Sequence, residues 1–113
     1  MDKNIVILEG VIGTDAKYGK AKNGKEYFTC SLSVNAFMKE YADDTERTNS
    51  QTYIRLFVYD KRQVAYLRKV NAHQGQRATV FGRLSSCKNE YKGNTFMTLN
   101  VITRDIRIIK NKE

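Results

Sequence analysis

The stretch Thr52-Tyr53-Ile54-Arg55-Leu56-Phe57-Val58-Tyr59 decides how this chain is read. Its even positions, Ile54, Leu56 and Val58, are all aliphatic. Its odd positions, Tyr53, Arg55, Phe57 and Tyr59, are three aromatics and one arginine. Side chains on a β-strand alternate between the two faces of the sheet. The aliphatic trio therefore faces a core, and the opposite face carries rings and a cation. One surface builds the fold, and the other is available for function.

The same period of two runs outward from this strand. Ile5 to Ile12 reads as a first strand, interrupted by Gly10 and ending near Gly13. Lys17 to Lys25 is a polar link in which Asn23-Gly24 is a hairpin turn signal. In Tyr27 to Asn35, Phe28, Cys30, Leu32 and Val34 share one face, and Thr29, Ser31 and Ser33 the other. Lys39 to Gln51 is polar and mixed in charge, a loop. Lys61 to Ala72 is the one helix, with an apolar stripe of Val64 and Leu67 extended by Tyr66 and Val70. Gly75 after it is a helix-stop residue. In Gln76 to Leu84, Ala78, Val80 and Leu84 point one way, and Arg77, Thr79, Phe81 and Arg83 the other. Ser85 to Thr95 forms a hairpin arm turning at Lys92-Gly93-Asn94. Phe96 to Ile102 is a fifth strand, continued by Arg104 to Ile109. Three strands, a helix and two strands suit an all-β fold with one short helix, the five-stranded Greek-key barrel of the OB-fold. The helix lies between strands 3 and 4. One domain spanning residues 1–113 is expected, because the length does not accommodate two.

Composition narrows the partner. Twenty Lys and Arg oppose twelve Asp and Glu, a formal charge of +8. That excess attracts polyanions without choosing among them. Single-stranded nucleic acid offers flat bases and a charged backbone, so a protein meets it with aromatics for stacking and cations for phosphates. Tyr53, Arg55, Phe57 and Tyr59 supply both on one strand. Lys88, Tyr91 and Lys92 repeat the combination on the hairpin arm, and an ordinary solvated hairpin is the alternative there. Lys20 and Lys22 belong to a lysine cluster, Lys17 to Lys25, that also holds Tyr18 and Tyr27. Arg83 adds a cation to the fourth strand. Phe37 and Tyr41, where the chain leaves the sheet, either flank the binding face or pack under the long loop.

Other chemistries find little support. His73 is the single histidine. Asp43, Asp44 and Glu46 share one loop, whereas two-metal chemistry needs carboxylates converging from separate elements. Cys30 and Cys87 lack histidine partners at zinc spacing and are too few for a disulfide framework. Gly10-x-x-Gly13 is too short for a phosphate loop and opens no helix. No catalytic residue, metal or cofactor is expected. The first eight residues hold only four consecutive apolar ones, too short for a signal-peptide core or a membrane span. A cytoplasmic, nucleoid-associated protein is expected, with no membrane contact.

Five segments, in order, resemble the bacterial-type single-stranded DNA-binding proteins across nearly all of residues 3–109. Asn4-x-Val6-x-Leu8-x-Gly10-x-Ile12-Gly13-x-Asp15 is similar to that family's first strand and turn. Phe28-x-x-Ser31-Leu32-Ser33-Val34-Asn35 resembles its Phe-Ser-Leu-Ala-Thr-Asn strand. Gln51 to Tyr59 resembles Thr-Glu-Trp-His-Arg-Val-Val-x-Phe, Tyr66-Leu67-Arg68-Lys69 the helix end, and Val80-Phe81-Gly82-Arg83-Leu84 the Ile-Glu-Gly-Arg-Leu strand. The resemblance implies that Tyr53 and Tyr59 occupy stacking positions with Arg55 between them. Two further stacking tryptophans of the family fall near Met38 and Asn89, where this chain has none; Phe37 and Tyr91 stand close by. Ile54 replaces a histidine that serves subunit contacts in many members.

The resemblance implies sequence-independent binding and protection of single-stranded DNA in replication, recombination or repair, by a homotetramer or homodimer. Typical members continue into an acidic tail that recruits other enzymes, whereas this sequence ends in the basic Lys110-Asn111-Lys112-Glu113. Tail-mediated recruitment is therefore not expected of it. A tail-less, specialised member from a mobile element or phage fits these features. A primosomal OB-fold protein, a protein-interaction module and a single-stranded RNA binder remain as alternatives.

Overall fold

A computed structural model describes residues 2–37 and 49–109. The element order is β1 (Val6–Ile12), β2 (Lys17–Lys20), β3 (Glu26–Phe37), β4 (Asn49–Val58), α1 (Lys61–Lys69), β5 (Arg77–Tyr91) and β6 (Asn94–Ile109). β1 pairs antiparallel with β5 and, at Val11 and Ile12, with β3. β3 pairs antiparallel with β4, β4 parallel with β6, and β6 antiparallel with β5. The ring β1-β3-β4-β6-β5 thus closes on itself as a five-stranded barrel of OB type. β2 adds a short ladder to β3 on the edge away from β4, pairing Lys17–Lys20 with Glu26–Thr29. The polar link expected over Lys17 to Lys25 is therefore half strand. Likewise β4 begins at Asn49, inside the stretch expected as loop, because the antiparallel ladder with β3 continues as far as Phe37.

The inward faces expected of β3, β4 and β5 meet at the barrel axis, joined by residues of β6. Phe28, Cys30 and Leu32 of β3, Leu56 and Val58 of β4, Ala78 and Val80 of β5, and Val101 and Ile106 of β6 are fully buried. Each large side chain among them contributes about 1.5–3 kcal/mol by leaving water. Helix α1 closes one end of the barrel with Val64 and Leu67. Two side chains moor it to β6. Gln63 Oε1 accepts from the Ile106 N–H at 3.1 Å, and the Tyr66 hydroxyl oxygen accepts from the Ile108 N–H at 3.0 Å.

Asp60 starts the helix by accepting from the N–H groups of Arg62 and Gln63. The stop is not Gly75. Asn71 takes the left-handed conformation, φ 54°, while Ala72 N–H donates to Leu67 O and Asn71 N–H to Arg68 O. This paired 6→1 and 5→2 closure tolerates Asn in place of Gly. Gly75 instead turns the chain into β5, its N–H donating to Ile12 O at 2.9 Å.

β5 and β6 run past the barrel as a two-stranded arm. Its tip is a two-residue turn in which Lys92 and Gly93 both have positive φ, 51° and 79°. That is the hairpin geometry for which glycine is suited at the second position. Leu84 keeps the inward side expected of it, opposite Val101, but is 37% exposed. The core ends at that rung, so the apolar side chains farther out, Met97 and Leu99, are exposed as well.

Candidate nucleic-acid interface

The face of β4 that turns from the core is built from rungs crossing four strands. Register places Arg83, Ile102, Phe57 and Thr29 in one row, and Ser85, Asn100, Arg55 and Ser31 in the next. Paired residues of neighbouring strands share a face. The far end of the first row is fixed by Thr29, buried, whose hydroxyl donates to Leu56 O at 2.9 Å.

Along β4 the rings and the cation form a connected run. Phe57 and Tyr59 are nearly parallel, with centroids 5.9 Å apart and planes at 9°. Tyr27 of β3 tilts against Tyr59 at 6.4 Å. The Arg55 guanidinium lies 5.7 Å from the Phe57 centroid and 3.4 Å from Asp15. Tyr53, beyond Arg55, is 67% exposed. Phe57 is half-buried between its neighbours, whereas Tyr59 remains open to solvent. Three rings and one guanidinium thus occupy four successive same-side positions, an arrangement suited to sequence-tolerant stacking.

Three open depressions follow this run. The central one, about 450 Å³, is bordered by Tyr53, Arg55, Phe57, Cys87, Asn89 and Thr98 among others. A second, about 730 Å³, continues from Tyr53 over Gly13, Asp15 and Ser33. The third, about 600 Å³, lies at the Tyr59 end, where Lys20, Lys25 and Lys61 surround it. Lys20 shares this depression with Tyr59. Lys22 is exposed and borders none of these depressions.

The hairpin arm divides its residues between two sides. Cys87, Asn89 and Tyr91 alternate on the side that carries Arg55, across from Thr98 and Phe96. Tyr91 is exposed, and the Lys92 ammonium sits 5.4 Å over its ring. Lys88 pairs with Met97 and points from the opposite side of the arm. The structure therefore brings together Tyr53, Arg55, Phe57 and Tyr59, with Arg83 on the same rungs and Tyr91 farther along, and separates Lys88 from them. Phe37 ends β3 in register with Asn49; its side chain, Tyr41 and the acidic trio Asp43, Asp44 and Glu46 lie outside the described residues.

Some residues acquire a meaning that local sequence did not give. Phe96 is 46% exposed and stands directly across from Asn89, on the Tyr91 side. Counting back from the Lys92-Gly93 turn gives that register. Tyr18, by contrast, is engaged in packing. Its hydroxyl lies 3.1 Å from both Leu67 O and Ala72 O, the carbonyls at the end of α1, and its ring meets Phe28 at 4.9 Å. Burial raises its pKa despite the Arg68 guanidinium stacked on it. Cys30 is buried and its thiol is pushed up to about 12, by burial first and Asp15 second, with Arg55 opposing. His73 lies exposed in the link after α1, its Nδ1 2.7 Å from Asn71 O. Among the described residues no three His, Cys, Asp or Glu side chains converge as metal ligands, and no helix is long and apolar enough to cross a membrane.

No curated protein sequence matches the chain. Solved structures share its fold. The SSB of Plasmodium falciparum in complex with ssDNA superposes with a TM-score of 0.84 at 23% identity, covering 97% of each chain. The small single-stranded DNA-binding protein of Streptomyces coelicolor gives 0.71 at 18% identity over 96% of each. A mitochondrial single-stranded DNA-binding protein of S. cerevisiae gives 0.71 at 18%, over 99% of this chain and 100% of that one. At such identities the likeness establishes the barrel. Family assignment comes from the sequence pattern itself, which matches the model of the single-strand binding protein family over residues 3–109. With that match spanning β1 to the end of β6, the chain belongs to the single-strand binding protein family.

Proposed function

We propose that this protein binds single-stranded DNA with little sequence preference, by stacking bases on the β4 face and placing phosphates against surrounding lysines. The observation that carries this reading is the run Tyr27, Tyr59, Phe57, Arg55 and Tyr53 on one open face, bordered at one end by Lys20, Lys25 and Lys61. Stacking accounts for tolerance of sequence, because every base has a π-face. The lysines account for attraction to the backbone, and the +8 charge of the whole chain extends it. The role is one of binding and protection during replication, recombination or repair in the cytoplasm, rather than catalysis.

A homodimer or homotetramer is part of the same reading. Ile7 and Phe81 are cross-strand partners on the outside of the barrel, and both are exposed, with exposed Ile5 nearby. Three such side chains on a chain this small favour a second copy over water. Light scattering at micromolar concentration should give a mass of at least two chains, and Ile7→Glu should lower it. A monomeric parent would refute this part.

Titration with matched single-stranded DNA, single-stranded RNA and duplex DNA at two salt concentrations tests the main reading. Single-stranded DNA should bind tightest, with log K falling against log salt by about 0.7 for each phosphate neutralised. Equal affinity for duplex, or a flat salt response, would refute it. A preference for RNA would redirect it to that polymer.

A further inference from the structure

We infer that Asp15 is a positioning residue that withholds Arg55 from phosphates and presents its guanidinium to bases. The inference rests on the single-strand binding reading and assigns a task within that face. An acidic side chain in the middle of a surface for a polyanion is otherwise a liability. Asp15 borders the depression that it shares with Tyr53, so a bound strand would pass beside its charge.

The carboxylate is held on both oxygens. Oδ1 accepts from the Ser31 N–H at 2.8 Å, and Oδ2 from the Ser31 hydroxyl at 2.7 Å. Oδ2 also accepts from Arg55 Nη1 at 3.4 Å. Ser31 is the cross-strand partner of Arg55, so the anion is fixed to the rung from which Arg55 rises. The approach requires glycine at position 13. A Cβ there would lie 2.9 Å from Ser31 O and 3.2 Å from Asp15 Oδ1, crowding the carboxylate off its site. Desolvation works against the charge, but the Ser31 hydrogen bonds and Arg55 outweigh it and keep the carboxyl below its ordinary pKa. Asp15 is thus a permanent anion at neutral pH.

The consequence is local neutrality. Arg55 stands between Asp15 and the Phe57 ring, one end paired at 3.4 Å and its central carbon 5.7 Å from the ring centroid. A phosphate approaching it meets the carboxylate as well. A base meets a flat guanidinium that stacks and donates hydrogen bonds. The backbone of the strand is then directed to Lys20, Lys25 and Lys61 at the Tyr59 end.

The test uses an oligothymidylate and a strand of equal length lacking bases, titrated at several salt concentrations against the parent, Arg55→Met and Asp15→Asn. Arg55→Met should weaken thymidylate binding at least fivefold and leave the salt slope unchanged, since no phosphate contact is lost. Asp15→Asn should steepen the slope by about 0.7, one phosphate, because Arg55 is freed to make that contact. It should also raise affinity for the base-free strand at low salt. The proposal is overturned if Arg55→Met flattens the slope by about 0.7, or if Asp15→Asn leaves slope and base-free binding as in the parent. Arg55 is exposed and outside the core, so its variant decides the matter even if Asp15→Asn fails to fold. A parent that binds neither strand overturns both this proposal and the reading beneath it. A parent that binds thymidylate, combined with either slope failure, overturns this proposal alone.

Discussion

Replacing Tyr53 and Tyr59 by alanine, singly and together, examines the aromatic face most directly. The two sit six residues apart on one side of β4 and its continuation, roughly 20 Å at about 3.3 Å per residue. One base does not touch both, so each should serve a different nucleotide. A base–ring stack is worth about 1–3 kcal/mol, so each substitution should weaken binding about 5- to 150-fold. Sites that far apart should add to within about 0.5 kcal/mol, placing the double variant about 2–6 kcal/mol below the parent. Their surroundings separate them on a second axis. Tyr53 makes no ring contact among the described residues, so Tyr53→Ala should leave the melting temperature unchanged. Tyr59 covers Phe57 and meets Tyr27, so its removal should cost about 0.5–1.5 kcal/mol of stability as well. Fluorescence anisotropy with a labelled oligothymidylate gives the affinities, and thermal melting followed by circular dichroism gives the stabilities. Neither variant should alter the salt slope, since neither ring is charged. A double variant no weaker than either single one would refute independent stacking. Parental affinity in all three would refute stacking altogether, and loss of oligomeric mass would reassign this face to a subunit contact.

The other expectations are more compact. Lys20→Ala should flatten the salt slope by about 0.7 whereas Lys22→Ala leaves it unchanged, because only Lys20 borders the Tyr59 depression; equal slopes for the two variants would contradict the placement. Cys87 is exposed and borders the central depression, so a thiol reagent should modify it readily and bound oligothymidylate should protect it; labelling unaffected by DNA would place the strand elsewhere. Buried Cys30 should resist the same reagent until the chain unfolds. Its pKa is raised from 9.0 to about 12, so the folded state keeps a proton that the unfolded state loses. The stabilisation is complete below pH 9 and declines as pH climbs toward 12, with on the order of 1 kcal/mol gone by pH 10. Cys30→Val should remove that component of the alkaline loss in denaturant titrations, and an unchanged pH profile would refute the assignment.

The barrel was legible because its information is periodic. Ile54, Leu56 and Val58 alternate with polar or ring-bearing neighbours, and the same alternation in β3 identified Phe28, Cys30 and Leu32 as core. What escaped was set by partners. Lys17–Lys20 has no apolar alternation, and becomes a strand only because β3 offers it an edge. Leu84 looks like a core residue from its spacing. Its exposure follows from where the barrel stops, which no local pattern records. Asn71 ends the helix with a conformation that glycine usually takes, so the sequence draws attention to Gly75, beyond the actual closure.

The candidate site divides along the same line. Tyr53, Arg55, Phe57 and Tyr59 share a face because they share a strand, so alternation alone assembled them. Residues from other elements needed the register. Lys88 and Tyr91 are three apart on one strand, and that odd spacing puts them on opposite sides of the arm. Their common membership of a basic, aromatic segment hid this. Phe96 became visible only when the turn at Lys92-Gly93 fixed it opposite Asn89. Asp15 is the extreme case. Its partner Ser31 is 16 residues away and Arg55 is 40 away, and each contact passes through a ladder that exists only after β1, β3 and β4 have joined. A charge count placed Asp15 among twelve acids opposing twenty bases. The folded chain places its carboxylate against Ser31 and Arg55, on the rung that carries the cation of the aromatic face. Net charge therefore accounts for attraction to a polyanion, whereas the pairing of individual charges determines which part of that polyanion each residue meets.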